Sequence, residues 1–224
     1  MSEISLKEAI NQRHSVRKYT ADPIKAEDAA KLNQFIEQCN QESGLHMQLV
    51  LGDKDAFKTL LNRYGWFKNV NNYIALVGKD DDQLNELSGY YGEKVVLYAQ
   101  QLGLGTCWVG GTFSRKKTTF KAEAGEKLSL IISVGYPENP GKPHKSKSVE
   151  KLSNLNASSP EWFKAGMEAA LLAPTAVNQQ KFHFELLENG KVAAKGPGAF
   201  GMVDLGIAKY HFEIGSGKDH SIWA

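Results

Sequence analysis

The sequence predicts an α/β fold, because segments with helical periodicity alternate with short apolar runs along the chain. Residues 84–102 have apolar side chains at helical spacing, whereas residues 47–51 and 73–77 are short apolar runs typical of strands. The run 128–134 is almost continuously apolar, which indicates a strand buried on both faces. We therefore expect this strand at the centre of a sheet that helices cover.

Capping and turn residues set the element boundaries in the first part of the chain. Ser5 and Glu8 form a capping-box pattern that opens a first helix, and residues 29–39 have the spacing of a second helix. The long helix 84–102 should end at Gly103 and Gly105, because glycine suits the left-handed turn that closes many helices.

A stretch rich in Pro, Gly, Lys and Ser at 137–151 is the best candidate for a linker, which predicts one unit over 1–150 and another over 151–224. In the second unit, Ser159 and Pro160 are expected to cap and open a helix that stops at Pro174. A strand at 182–187, a hairpin turn at Asn189 and Gly190, and a helix at 203–214 follow.

The two units resemble each other weakly. Residues 46–51 are similar to 183–188, and residues 92–100 are similar to 206–214. Segments this short can match by chance. If the similarity is real, the chain contains one full unit and a shortened copy, and the two would face each other as the subunits of a homodimer do.

Composition excludes several function classes. The 224 residues carry 27 basic and 25 acidic side chains, a formal charge of +2 that argues against non-specific nucleic-acid binding. Cys39 and Cys107 are far apart and lack neighbours at metal-ligand spacing, so we expect no disulfide framework, no zinc site and a reducing cytoplasmic location. No stretch has the length and apolarity of an export signal or a membrane anchor, so no membrane partner is expected.

A basic cluster directly follows the first helix. Arg13, Arg17 and Lys18 lie within six residues of one another, together with Ser15. Guanidinium groups offer paired donors that match phosphate oxygens, and a serine hydroxyl adds a neutral donor. The segment is therefore either a phosphate-binding site or a solvated basic turn, since charge runs are often plain surface.

Four segments together resemble signature segments of the FMN-dependent nitroreductase family. They are 13–17 (Arg-His-Ser-Val-Arg), 103–110 (Gly-Leu-Gly-Thr-Cys-Trp-Val-Gly), 134–137 (Val-Gly-Tyr-Pro) and 173–180 (Ala-Pro-Thr-Ala-Val-Asn-Gln-Gln). The resemblance implies an α/β (α+β) fold with a central mixed or antiparallel sheet flanked by helices, and one FMN per site at a subunit interface.

The order of these segments differs from that of most family members. The segment like 174–182 usually follows the Arg-x-Ser motif by a few tens of residues, whereas here it lies near the C-terminus. In the family this loop reaches the flavin of the partner subunit. The resemblance thus implies the rarer rearranged branch, an internal pseudo-dimer in which the shortened second copy supplies the partner loop and a single chain holds one FMN.

The resemblance also implies roles for individual residues. Gly110 and Gly111 would support the flavin N5 and O4 through backbone N–H groups, with no obligatory catalytic side chain. Lys145 and Lys147 occupy the place of the family's basic pair, with lysine in place of the usual second arginine. Thr175 stands where serine is more common, and Lys181 where proline is frequent. The implied cofactor-binding residues are Arg13, His14, Ser15, Arg17, Trp108, Gly110, Gly111, Lys145, Lys147, Pro174, Thr175 and Asn178.

The implied activity is hydride transfer from NADH or NADPH through FMN to a nitroaromatic, quinone or similar small acceptor. No G-x-G-x-x-G fingerprint follows a strand, so a separate dinucleotide domain is not expected. Other hypotheses stay open: a flavin-binding or flavin-handling protein without efficient NAD(P)H oxidation, a protein that binds no flavin, and a flavin-destroying or dehalogenating enzyme. We expect a monomer, with further dimerisation open.

Overall fold

The computed structural model describes residues 4–59 and 66–224. The α-helices in these ranges are α1 (Leu6–Gln12), α2 (Ala26–Ser43), α3 (Leu84–Gln101), α4 (Glu161–Ala170) and α5 (Gly201–Ser216). The strands are β1 (Gln48–Val50), β2 (Tyr73–Lys79), β3 (Gly105–Val109), β4 (Glu126–Gly135), β5 (His183–Leu186) and β6 (Val192–Lys195). Single 3₁₀ turns occupy Asp55–Phe57, Arg115–Lys117, Val149–Lys151, Ala176–Asn178 and His220–Ile222.

The main sheet has the strand order β1-β2-β4-β3, and every neighbouring pair is antiparallel. Ile132 of β4 pairs with Ile74 of β2 on one side and with Trp108 of β3 on the other. Strand β4 is buried from Leu128 to Gly135. The predicted central, doubly covered strand is therefore confirmed, and so is the antiparallel form of the sheet.

Local sequence explains most of the element ends. The Ser5 side chain accepts the Glu8 N–H while the Glu8 side chain accepts the Ser5 N–H. The predicted capping box at the N-terminus of α1 is therefore confirmed. Gly103 has φ +78°, the left-handed angle expected after α3. Gly190 has the same φ of +78° in the turn that joins β5 to β6 as an antiparallel hairpin.

The predicted start of α4 is wrong in detail. Pro160 is the residue before the helix rather than its first helical residue, and no side chain caps this end. The Ser159 hydroxyl instead accepts the Asn156 N–H at 3.0 Å. The Ser159 hydroxyl is therefore hydrogen-bonded within the preceding turn, whereas the sequence pattern predicts that it caps the helix.

Helices α3 and α5 cross at very short range. A Cβ on Gly89 would lie 2.1 Å from the Val203 oxygen, and one on Gly206 would lie 2.1 Å from the Glu86 oxygen. Only glycine lets the two backbones approach this closely. The similar segments 92–100 and 206–214 lie in these two packed helices, although the pseudo-dimer itself remains a prediction.

One cluster of buried apolar side chains extends across the predicted boundary at residue 150. It contains Leu76 and Val95 from the first part and Phe163, Phe184 and Phe212 from the second. The two parts therefore share a core, and the division into 1–150 and 151–224 remains a prediction from sequence.

A second, smaller cluster lies on the other face of the sheet and contains Phe57, Phe67 and Tyr73. Phe67 is 7% exposed and packs within this cluster. Trp66 differs: it is 54% exposed, and the Arg17 guanidinium lies 5.4 Å from its ring centroid. Among the described residues, no helix combines the length and hydropathy that a bilayer crossing requires.

Ser88 allows a direct test of the α3 packing. Its hydroxyl is buried and has no hydrogen-bond partner in the described part of the chain. We expect Ser88→Ala to stabilise the protein by about 0.5–1 kcal/mol, because alanine removes an unsatisfied polar group and is the better helix former. Urea unfolding followed by circular dichroism would measure this, and a loss of stability would show that Ser88 has a partner.

Candidate functional site

The basic cluster lies in an extended segment beside the start of β3. Arg13 directly follows the last residue of α1 and has the extended backbone angles φ −70° and ψ 121°. Ser15 then forms a parallel β-bridge with Thr106. The Val16 N–H donates to the Thr106 oxygen at 2.8 Å. Arg13 is only 4% exposed, whereas Arg17 points to the surface. The segment is therefore part of the sheet edge rather than a free basic turn.

Residues 141–147, taken from the sequence as part of a linker, pack against this segment. Gly141 has φ +77°, and a Cβ there would lie 2.9 Å from His14 Cβ and 3.0 Å from the Ser15 oxygen. Burial lowers the pKa of His14, and the charge of Arg13 lowers it further. His144 adds a smaller effect of the same sign, which is consistent with the two imidazoles being neighbours.

The C-terminal loop 174–180 attaches to the same stretch. The Asn178 side-chain amide donates to the Lys145 oxygen at 2.9 Å. The Lys147 ammonium donates to the Gln179 oxygen at 2.6 Å and to the Gln180 oxygen at 2.9 Å. Residues 141–147 thus join the N-terminal basic cluster to a loop more than 150 residues away in the sequence.

This loop holds an unfavourable backbone conformation. Val177, Asn178 and Gln180 have φ of +45°, +54° and +40°. A left-handed β-branched residue such as Val177 is strained by about 1–3 kcal/mol, and strain of this kind is concentrated at functional sites. The Thr175 hydroxyl accepts the Gln180 N–H at 3.0 Å, which helps to hold the conformation.

Asp204 of α5 anchors the other side of the loop. Its carboxylate accepts the Ala176 N–H at 2.9 Å and the Gln179 amide at 3.0 Å. Burial raises the pKa of Asp204, and these two hydrogen bonds oppose that effect. The loop is thereby tied to α5 as well as to residues 145–147.

The end of β3 presents the predicted glycine pair. A Cβ on Gly110 would lie 2.7 Å from the Phe200 ring, so Gly110 is packed against the residue that precedes α5. A Cβ on Gly111 would meet nothing within 4 Å, and Gly111 is exposed. Gly111 is therefore open to solvent, and its role beside the flavin stays a prediction from sequence.

Trp108 and Arg13 meet through a residue that the sequence did not single out. The Trp108 indole N–H donates to Glu93 at 2.9 Å, and the Nε atom of Arg13 lies 3.8 Å from the same carboxylate. Glu93 is fully buried in α3. Burial lowers the pKa of Arg13, and the negative charge of Glu93 opposes that effect.

The structure brings most of the predicted residues together, directly or through one intermediary. His14 and Ser15 contact Gly141. Asn178 and Lys147 form hydrogen bonds that join residues 145–147 to the loop that begins at Pro174 and Thr175. Direct contacts do not join Arg17, Gly110 or Gly111 to this group. Glu93, His144, Asp204 and Gln180 also take part in these contacts but are not among the residues predicted from sequence.

One signal could have found two of the missed residues. Glu93 and Asp204 each stand among apolar residues of a helix, on its buried side. A carboxylate in such a position is rarely without a partner, so it marks a buried polar contact.

Two cavities lie elsewhere. One of about 340 Å³ is lined by residues 19–24 together with Asn69, Asn71, Asn72 and others, and one of about 530 Å³ has Lys54, Lys58 and Lys117 in its wall. Neither contains a residue of the predicted flavin site. Within residues 4–59 and 66–224, no group of His, Cys, Asp and Glu side chains could hold a metal ion.

The fold and these contacts define an α+β protein whose antiparallel sheet positions a basic N-terminal segment beside a strained C-terminal loop. The chain belongs to the family described as "Putative TM nitroreductase", whose model matches residues 5–216. Comparison with curated proteins finds no match.

Several solved structures share this fold. A "putative nitroreductase" of Thermotoga maritima is 21% identical, with a TM-score of 0.71, over 96% of this chain and 84% of its own. A "putative nitroreductase in complex with FMN" of Desulfovibrio desulfuricans is 19% identical, with a TM-score of 0.54, over 71% of this chain and all of its own. A "putative NADH dehydrogenase/NAD(P)H nitroreductase" of Parabacteroides distasonis is 20% identical, with a TM-score of 0.53, over 70% and 99%. The predicted family and fold are therefore confirmed.

Proposed function

We propose that this protein binds one FMN per chain and transfers hydride from NADH or NADPH to a small acceptor such as a nitroaromatic or a quinone. One observation carries the proposal: residues 141–147 contact both His14–Ser15 and the Asn178 loop. Membership of the nitroreductase family supports it, as does the FMN named for the Desulfovibrio desulfuricans protein of the same fold.

The residues present fit the chemistry of FMN. The phosphate of FMN is a dianion, and the exposed Arg17 and Lys145 have no ion-pair partner among the described residues. The buried Nε of Arg13 also lacks a hydrogen-bond partner there. A buried donor without an acceptor is costly, so an acceptor-rich anionic ligand would satisfy it.

When bound, FMN supplies the ring that accepts and passes on a hydride, and the chain supplies binding and orientation. The basic residues would hold the phosphate, the Asn178 loop would cover the ligand, and Gly110 and Gly111 would offer backbone N–H groups. Because the reductant leaves before the acceptor enters, we expect ping-pong kinetics.

We further propose that one chain is enough for the site. Residues 1–150 would supply the basic segment and the glycine pair, and residues 151–224 the loop that a partner subunit gives in ordinary family members. The expected state is a monomer with an internal pseudo-dimer. Cys39 and Cys107 are buried free thiols, which is compatible with a reducing cytoplasm.

The proposal is tested by adding FMN to the purified protein and then NADH or NADPH without oxygen. We expect a shifted flavin spectrum at one equivalent and rapid bleaching by one of the two reductants. Binding without bleaching would favour a flavin-handling protein, and no binding would overturn the proposal.

Asn178→Ala tests the contribution of the C-terminal loop. Its amide donates to Lys145, so we expect FMN affinity to fall about 10-fold when one such hydrogen bond is lost. Fluorescence titration of FMN measures the change. Asn189→Ala, in the β5–β6 turn, is the matched control and should bind FMN like the wild type. Unchanged binding by folded Asn178→Ala would argue against a site that includes the loop.

A further inference from the structure

Glu93 lies at the centre of a buried polar network. It is in the middle of α3 and is 0% exposed. Its Oε2 accepts the Trp108 indole N–H at 2.9 Å, and its Oε1 lies 2.8 Å from His211 Nε2 and 3.8 Å from Arg13 Nε. These contacts reach from α3 to β3, to α5 and to the end of α1.

His211 fixes the carboxylate from the side of α5. It is fully buried, and its Nδ1 lies 3.1 Å from the Ala169 oxygen. A carbonyl oxygen only accepts, so Nδ1 carries a hydrogen. Its Nε2 faces Glu93 Oε1 at 2.8 Å. Because both ring nitrogens are engaged, His211 has a single ring orientation and holds Glu93 Oε1 in place.

The Arg13 contact differs from the other two. A separation of 3.8 Å is too long for a hydrogen bond, so Glu93 compensates the charge of Arg13 without occupying its donors. The Nε atom of Arg13 is buried and has no hydrogen-bond partner in the described chain. Arg13 is thus balanced in charge, and its Nε would be satisfied by an acceptor that a ligand supplies.

We propose that Glu93, held by His211, is a positioning residue for FMN binding, which keeps Arg13 aligned toward the ligand. The proposal rests on the proposed function. It links the flavin-site residues of the first half to His211 of the second half, so the packing of α5 onto α3 becomes a condition for tight binding. Glu93 itself would not touch FMN.

A double-mutant cycle tests this role, with the FMN dissociation constant as readout. We expect Glu93→Gln to weaken binding about 10-fold and Arg13→Ala about 100-fold, and the double variant to bind no more weakly than Arg13→Ala alone. A carboxylate that only supported the fold would add its effect to that of Arg13→Ala.

Glu213→Gln is the matched control, since Glu213 is a buried carboxylate of α5 that contacts Tyr90, His220 and Trp223 but not Arg13. It should leave FMN binding unchanged. If Glu93→Gln does not fold, His211→Gln in the same cycle replaces it, with the same non-additive result expected.

Additive losses, wild-type binding by Glu93→Gln, or an equal loss in Glu213→Gln would each overturn the inference while the proposed function stands. A wild-type protein that binds no FMN would overturn both. The two failures are therefore distinguishable in one set of titrations.

Discussion

Arg13→Ala is expected to weaken FMN binding about 100-fold, because a hydrogen bond to a charged ligand group is worth about 1.5–3 kcal/mol. The same change should lower the free energy of unfolding by about 3 kcal/mol, since it removes the partner of a buried charge. Arg13 is 4% exposed, and Glu93, 3.8 Å away, is fully buried. His211 stays beside Glu93, so we expect the fold to survive.

The two effects of Arg13→Ala are measured separately, by FMN fluorescence titration and by urea unfolding without ligand. Arg13→Lys is the control, because it keeps the charge but loses the planar set of donors. Compared with Arg13→Ala, its free energy of unfolding should return closer to the wild-type value than its FMN affinity does. Wild-type affinity in Arg13→Ala would mean that this arginine serves only the fold.

Gly206→Ala should destabilise the protein by about 3 kcal/mol, at the upper end of the usual cost of overpacking. A Cβ at this position would lie 2.1 Å from the Glu86 oxygen and 2.6 Å from the Tyr90 nitrogen. Both are backbone atoms of α3, so no side-chain rotation can relieve the clash. The helices α3 and α5 would have to separate.

Thermal unfolding by circular dichroism measures the effect of Gly206→Ala. Ser88→Ala lies in the same helix pair and is expected to change stability in the opposite direction, so together the two variants separate close backbone packing from helix propensity. A Gly206→Ala protein as stable as the wild type would contradict the close crossing of the two helices.

Periodicity and turn chemistry were enough to predict most elements of this fold, but not β3 (Gly105–Val109), which directly follows the predicted end of α3. The buried strand β4, the capping box at Ser5 and the turn at Gly190 each have a local cause that is visible in a few residues. Ser159 shows the limit of such reasoning, because its hydroxyl accepts the Asn156 N–H instead of capping α4. The sequence pattern does not decide between these two local partners.

The stretch 141–147 could not be understood from composition. Its Pro, Gly, Lys and Ser residues are typical of a linker, yet it joins two parts of the candidate site. Two of its contacts use backbone groups, the Lys145 oxygen and the Lys147 N–H, which every residue type offers. Composition therefore contains no information about them.

The candidate site was predicted through resemblance more than through residue chemistry. Short motifs pointed to Arg13, Ser15 and Asn178, whereas Glu93 and Asp204 become visible only when helices pack and leave a carboxylate inside. The left-handed Val177 could not be anticipated either, because valine disfavours that conformation and only the surrounding contacts impose it.

The most direct test of the account is an FMN titration of the wild type, Arg13→Ala and Asn178→Ala, with the mass of each complex measured in solution. We expect one FMN per chain in a monomer and weaker binding in both variants, although the two residues lie in opposite halves. Full affinity in folded Asn178→Ala, or FMN bound only by a dimer, would contradict a site built by one chain.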